Sequence, residues 1–154
     1  MSSVFDITTP KDTNKIYFLC LRIYRSKFGT SVDQTYHIYK NILSGYFDPG
    51  QNQKIIDTPI RANPTYERDL ANHTPLSPTE LQQYEKRYKG AYNVTIGKLL
   101  HIQQWTRPDL NYAISRLAVF LKAPTASSFE ALHHFLEYLS QHIITCIIFG
   151  LRIC

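Results

Sequence analysis

The chain has 154 residues, 44% hydrophobic and 19% charged, a composition typical of one globular domain. Its 11 Tyr, 8 Phe and 1 Trp supply ample apolar surface to bury, which argues against global disorder. The net charge of +5 favours an anionic partner such as nucleic acid, and it fits an ordinary mixed-charge surface equally well.

Cysteine usage and the chain ends indicate an intracellular protein, in the cytoplasm or nucleus. Cys20, Cys146 and Cys154 form no Cys-x-x-Cys pair, so we expect buried free thiols in a reducing compartment rather than disulfides or a zinc finger. Residues 1–12 lack the features of a secretion signal, and the apolar run 143–149 is too short to cross a bilayer. We therefore expect neither secretion nor a membrane partner.

Residues 15–39 predict a β-hairpin. Residues 15–24 are rich in β-branched and aromatic side chains on both faces as far as Arg22, so this strand should be covered on both sides. A turn at residues 28–30 leads to the second strand.

A short helix and an irregular connector follow. From Thr35 to Phe47 the spacing of Ile38, Ile42 and Leu43 favours a helix, and the Asp-Pro-Gly sequence at residues 48–50 predicts a turn after it. Residues 51–77 are proline-rich and show little periodicity, which is typical of a surface connector.

The remaining residues predict a helical bundle and a final strand. Ser77 and Glu80 can form a capping box for one helix, Thr106 can cap another, and Ser127 and Ser128 can cap the last, after Pro124. Each helix has an apolar stripe: Leu81, Tyr84 and Tyr88; Ile96, Leu99, Leu100 and Gln103; Leu110, Ala113, Ile114, Leu117, Ala118 and Leu121; and Phe129, Leu132, Leu136 and Leu139. The fold class is therefore α+β: an N-terminal β-hairpin, three or four helices, and a short C-terminal strand from Ile143.

No arrangement of residues predicts catalysis. Tyr46–Pro49 has one Asp where a two-metal site needs two carboxylates, and Glu130 and Glu137 lie two helical turns apart. His133 and His134 are adjacent and point about 100° apart on a helix, which does not suit one metal ion. We expect no enzyme activity and no cofactor.

Sparse cations are interleaved with aromatic residues along the helices: Tyr88, Lys89, Tyr92, Lys98, Arg107, Arg116 and Lys122. Such groups can neutralise phosphates and stack on bases. They can equally form the polar faces of amphipathic helices.

One block of sequence distinguishes these alternatives. Thr106-Arg107-Pro108-Asp109-Leu110 is followed by Tyr112-Ala113-Ile114, and this run resembles the late part of the reverse transcriptase of Ty1/copia-type retrotransposons. Further matches are Tyr92, Ile96, Gly97, Leu99, Ile102, Leu117, Phe120, Pro124, Ala131, Leu136, Tyr138 and Leu139, with looser ones at Tyr17-Phe18-Leu19, Gln34 and Asp57–Ile60. The resemblance covers about residues 12 to 150.

The resemblance implies an RNA-directed DNA polymerase with a right-hand architecture, encoded within a Pol polyprotein of a transposable element. Residues 1–50 would be a palm remnant, 51–77 a connector, 78–142 a thumb and connection unit, and 143–154 a terminal strand before any ribonuclease H domain. The parent's catalytic Tyr-x-Asp-Asp segment, which would bind Mg²⁺, lies before the strand matched by Tyr17, so its residues are not in this chain. The expectation is thus a truncated, non-catalytic fragment.

Several positions depart from the family pattern. Asn93 and His134 stand where the family has Arg, Cys20 where it has Gly, and residues 140–142 replace a basic Lys-Gly-Thr corner. Fewer cations predict weaker binding to nucleic acid.

The implied partners are an RNA/DNA template-primer duplex and the remaining palm, fingers and ribonuclease H portions of the polyprotein. We predict nucleic-acid contacts at Tyr92, Lys98, Arg107 and Arg116; Arg107 has a second possible role, as a structural partner of Asp109. The alternative function is a small α+β interaction module with no nucleic-acid role.

Overall fold

The computed structural model describes residues 14–27, 29–44, 46, 55–61, 74–143 and 146–149. These residues form an antiparallel sheet and a set of helices, so the predicted α+β class is confirmed. The chain divides into two compact units, one of Met1–Gln34 with Cys146–Cys154 and one of Thr35–Thr145.

The first unit contains a four-stranded antiparallel sheet in the order β1-β2-β3-β4. Its strands are β1 (Lys15–Phe18), β2 (Leu21–Ser26), β3 (Gly29–Asp33) and β4 (Cys146–Phe149). The predicted C-terminal strand is thus present, and it pairs with β3. Sequence reading alone does not reveal this pairing, because the two strands lie more than a hundred residues apart.

The single strand predicted over residues 15–24 is wrong, because the chain reverses within it. Phe18 pairs with Leu21, and Leu19 and Cys20 form the two-residue loop with φ of 46° and 66°. This left-handed backbone suits a tight hairpin, but Leu and Cys rarely adopt it, so no residue signalled the turn.

The predicted double-sided cover of this strand is also wrong. Tyr17, Phe18 and Leu19 are 71%, 58% and 58% exposed. Cys20 is an exposed free cysteine, which corrects the expected buried thiol. The side chains of Cys146 and Cys154 lie outside the described residues.

The second unit begins with α1 (Thr35–His37), which continues as a π-helix over Ile38–Leu43. The predicted short helix is therefore present. Ile38, Ile42 and Leu43 are buried in the core of the helical unit, so this segment packs with the later helices. The Asp-Pro-Gly turn predicted at residues 48–50 lies outside the described residues.

The described residues of this unit form four further α-helices: α2 (Pro78–Arg87), α3 (Tyr92–Trp105), α4 (Asn111–Ala118) and α5 (Ala126–Gln141). A 3₁₀ turn, Pro108–Leu110, leads into α4. The described parts of the connector, 55–61 and 74–77, contain no helix or strand, as predicted.

The predicted apolar stripes of α3, α4 and α5 form most of the core, whereas Leu81, Tyr84 and Tyr88 of the α2 stripe and Ala118 of α4 are half-buried against it. Two further stripe residues lie outside the core. Leu100 and Leu121 are 38% and 36% exposed. The buried face of α3 also includes Tyr92, the aromatic residue of its first turn, together with Thr95 and Ile102. Phe135 and Ala131 of α5 join the core as well.

Capping boxes start α2 and α5. At α2 the predicted box is confirmed: Ser77 N donates to Glu80 Oε2 over 2.9 Å, and Glu80 N donates to Ser77 Oγ over 3.4 Å. At α5 the predicted caps Ser127 and Ser128 are wrong, because Thr125 is the N-cap and Ser128 is its reciprocal partner. The third helical residue of a capping box is usually Glu or Gln, so Ser128 at this position does not signal that Thr125 is the N-cap.

Candidate nucleic-acid interface

Arg107 is held inside the fold by a network centred on its guanidinium group. Its Nε and Nη2 donate to the carboxylate of Asp109 over distances of 2.8–3.1 Å, and Nη1 donates to the carbonyl of His142 over 2.6 Å. The residue is only 2% exposed. Of the two roles open for Arg107, the geometry therefore provides the structural one, tying the α3–α4 joint to the end of α5.

The same network changes the expected start of the helix after Trp105. The N-cap position lies one residue later than the predicted Thr106: Thr106 ends α3, and Arg107 is the N-cap of the 3₁₀ turn and makes no side-chain cap hydrogen bond itself. Asp109 lies in the first turn as predicted, and its carboxylate accepts hydrogen bonds from Arg107. The two-pronged pair of Arg107 and Asp109 at this joint is charge-assisted.

Tyr92 is also an interior residue. Its exposure is 1%, its hydroxyl donates to the carbonyl of Leu117 over 2.8 Å, and its ring meets Phe129 edge-on at 5.1 Å. Neither Tyr92 nor Arg107 can reach a bound duplex without a rearrangement of the core.

Lys98 and Arg116 keep surface exposure. Lys98 is exposed on α3, and its Nζ donates to the carbonyl of Asn41 in the π-helix over 2.8 Å. Arg116 is half-exposed in α4. These are the two predicted contacts whose positions allow a ligand to approach.

A cationic and aromatic face lies beside Lys98, and sequence reading missed it. We define the α1–α3 face as Tyr36, Tyr39, Lys40, Asn41 and Lys98. Tyr36 and Tyr39 are 60% and 65% exposed, and Lys40 Nζ lies 3.1 Å from the Tyr36 hydroxyl and 5.4 Å from its ring centroid.

Two histidines continue the α1–α3 face. The rings of His37 and His101 lie 5.6 Å apart, and Asn41 Nδ2 donates to His37 Nδ1 over 2.8 Å. Burial lowers the pKa of His37, and the nearby His101 and Lys98 lower it further. The signal that could have found this face is the absence of any Asp or Glu from residues 34–47 and 86–108.

In addition to the α1–α3 face, a polar groove lies between residues 55–61 and α5. It is lined by Ile55, Ile56, Asp57, Thr58, Arg61, His134 and Glu137. The Ile56 N–H donates to Gln141 Oε1 over 2.9 Å, and His134 Nε2 lies 3.1 Å from the Thr58 carbonyl oxygen. Burial, followed by the charge of Arg61, lowers the pKa of His134.

The carboxylates and histidines of α5 do not assemble into a metal centre. His133 Nδ1 lies 3.7 Å from Glu137 Oε1, and within the described part of the chain no three His, Cys, Asp or Glu side chains converge. The described residues therefore do not fit the Mg²⁺ site that the family resemblance implies for its parent enzyme. Among the described residues, the helices are also too short or too polar to span a bilayer.

Comparison with known proteins gives one informative match. The retrovirus-related Pol polyprotein from transposon TNT 1-94 of Nicotiana tabacum is 30% identical over 104 residues, an alignment that covers 65% of this chain. The chain is similar to part of a retrotransposon Pol polyprotein. It spans 7% of that protein's length. No protein-family profile and no solved structure matches the chain.

Proposed function

We propose that this chain is a thumb-like, template-primer-binding portion of a Ty1/copia-type reverse transcriptase. The observation that carries the proposal is the block from Thr106 to Ile114, whose residue types match the pattern of that enzyme. The similarity to a retrotransposon Pol polyprotein supports the same origin.

The packing explains why these residue types occur together. Arg107 and Asp109 close the joint between α3 and α4, Leu110 and Ile114 are buried beneath it, and Tyr92 joins the far ends of the two helices. The motif thus joins α3 and α4 at both ends. A helical pair joined in this way supports the proposal of a domain that grips a ligand.

Binding would rest on exposed cations. Lys98 and Arg116 are on the surface of this helical pair, and Lys40 adds a further charge on the adjacent π-helix. Cations that neutralise phosphates release condensed counterions, so affinity for nucleic acid should fall steeply with salt.

The polymerase reaction itself would require a Tyr-x-Asp-Asp segment, which residues 1–154 do not contain. The isolated chain should give no DNA synthesis on a primed template, and measurable synthesis would overturn the non-catalytic assignment.

The proposal is tested with the full 154-residue chain and a fluorescein-labelled RNA/DNA hybrid. The logarithm of the association constant, measured by anisotropy, should fall linearly with the logarithm of the salt concentration. Lys98→Gln should make that slope shallower by about 0.7 to 0.9, the contribution of one phosphate contact.

Lys86→Gln is the matched control for that experiment. Lys86 is exposed on α2, which also carries Glu80 and Glu85 and so presents a mixed-charge face. Its replacement should leave the slope unchanged. Absence of binding at low salt would contradict the proposal and favour the alternative, an α+β interaction module without a nucleic-acid role.

A further inference from the structure

The α1–α3 face differs from an ordinary solvated helix surface in its charge. The two packed segments, Thr35–Leu43 and Tyr92–Trp105, contain Lys40, Lys98, His37 and His101 and no Asp or Glu. By contrast α2 mixes Glu with Lys and Arg. A face that carries only positive or neutral groups is complementary to a polyanion.

The face also exposes two large rings. Tyr36 and Tyr39 are more exposed than buried, although the core of the same unit lies directly beneath Ile38 and Ile42. Tyrosine rings bind the flat faces of bases regardless of base identity. Fully paired duplex hides those base faces, whereas unpaired nucleotides present them.

Both lysines border the segment that carries these rings. Lys40 lies over the Tyr36 ring, and Lys98 reaches the carbonyl of Asn41, the residue that follows Lys40. The phosphates of a strand whose bases stack on this segment would therefore pass close to cations.

We propose that the α1–α3 face binds unpaired nucleotides of a nucleic-acid strand, with Tyr36 and Tyr39 stacking on bases and Lys40 and Lys98 neutralising the phosphates. The inference rests on the proposed function, that the chain binds nucleic acid. It adds a preference: a template-primer with a single-stranded overhang should bind more tightly than a blunt hybrid of the same paired length.

The test measures anisotropy of the full chain with three labelled probes: a blunt RNA/DNA hybrid, the same hybrid with a ten-nucleotide overhang, and the overhang strand alone. Tyr36→Ala combined with Tyr39→Ala should weaken the overhang and single-strand complexes by on the order of tenfold or more. The blunt complex should change little. Tyr39→Phe keeps the ring and should keep the affinity.

Tyr112→Ala is the matched control, because Tyr112 is 62% exposed on α4, a helix that contributes no residue to the α1–α3 face. Circular dichroism shows whether each variant is folded. If the double variant unfolds, the Tyr39→Ala single variant replaces it in the test, and it should likewise weaken binding of the overhang probe.

The outcomes separate the two proposals. If the chain binds the blunt hybrid but overhangs add nothing and the Tyr variants behave as wild type, the inference about the face is overturned while the proposed function stands. If the wild-type chain binds none of the three probes, both are overturned. If the overhang complex is tighter and only the Tyr36 and Tyr39 variants weaken it, the face is the binding site.

Discussion

The Tyr92 hydroxyl donates a hydrogen bond to the Leu117 carbonyl over 2.8 Å in the core of the helical unit. Tyr92 begins α3 and Leu117 lies near the end of α4, so the bond joins the open ends of a helical pair whose other ends meet at Arg107. A residue predicted to contact nucleic acid thus has a partner inside the fold.

Replacing Tyr92 with Phe should lower the free energy of unfolding by about 1 kcal/mol, the usual net value of one hydrogen bond. The loss is modest because the Leu117 carbonyl still accepts from the Phe120 N–H at 3.2 Å. Tyr92→Ala should cost about 3–5 kcal/mol, because it empties a large buried volume. Urea denaturation followed by circular dichroism measures both. Unchanged stability of Tyr92→Phe with weaker hybrid binding would instead favour a ligand contact.

Arg107→Lys should reduce stability and leave hybrid affinity unchanged. Lysine cannot reproduce the planar fork that binds Asp109 and the His142 carbonyl together, so about 1–3 kcal/mol of stability should be lost. Asp109→Asn should cost less, since its carboxylate is 51% exposed and water can replace part of the pairing. Denaturation curves give the stabilities, and anisotropy measured where each variant is folded gives the affinities. A drop in affinity for folded Arg107→Lys would show that the guanidinium reaches the ligand.

Two glycines of the helical unit should respond to Ala in opposite ways. Gly97 lies in the interior of α3, and an added Cβ would meet nothing within 4 Å. Gly97→Ala should therefore raise stability by about 0.5–1 kcal/mol through helix propensity. At Gly90 an added Cβ would collide with the Tyr46 hydroxyl, which lies 2.8 Å from Thr95 Oγ1 in a hydrogen bond. Gly90→Ala should therefore lower stability.

Thermal and urea denaturation of the two alanine variants, side by side, provide the measurement. Each serves as the control for the other, because both add one methyl group to the same unit. A stabilising Gly90→Ala would mean that the Tyr46 ring moves aside at no cost.

Most of the helical unit could be predicted from the sequence, because the apolar spacing of its helices and the capping box at Ser77 involve residues only one or two helical turns apart. The reversal at Leu19 and Cys20 could not be predicted, since neither residue favours the left-handed backbone that the sheet imposes on it. The burial of Tyr92 and Arg107 was hidden for a related reason. Their partners, Leu117 and His142, lie 25 and 35 residues away, and only the packed helices bring them together.

The α1–α3 face could not be predicted from sequence pattern, because its residues come from two segments that are far apart in the chain. Lys98 was identified from its place on α3, but its neighbours Tyr36 and Lys40 come from a segment about sixty residues earlier, which pattern alone assigned only as a short helix. These residues form one face only because the π-helix and α3 are in contact.

The helical unit should lose stability below neutral pH because of His37. Its Nδ1 accepts a hydrogen bond from the Asn41 amide, which requires an unprotonated nitrogen, and burial with the nearby His101 and Lys98 lowers its pKa from the ordinary value of 6.5. The folded state therefore binds this proton less readily than the unfolded state. Stability is full above pH 6.5, falls as the pH drops below that value, and stops falling once His37 is protonated in the folded state too.

His134, whose pKa burial also lowers, contributes in the same direction. His37→Gln should thus reduce the stability difference between pH 8 and pH 5, measured by urea denaturation at each pH, and a double variant with His134→Gln should reduce it further. Because the two residues contact different partners, Asn41 and the Thr58 carbonyl, their effects should add. An unchanged pH dependence in the double variant would assign the acid sensitivity to other groups.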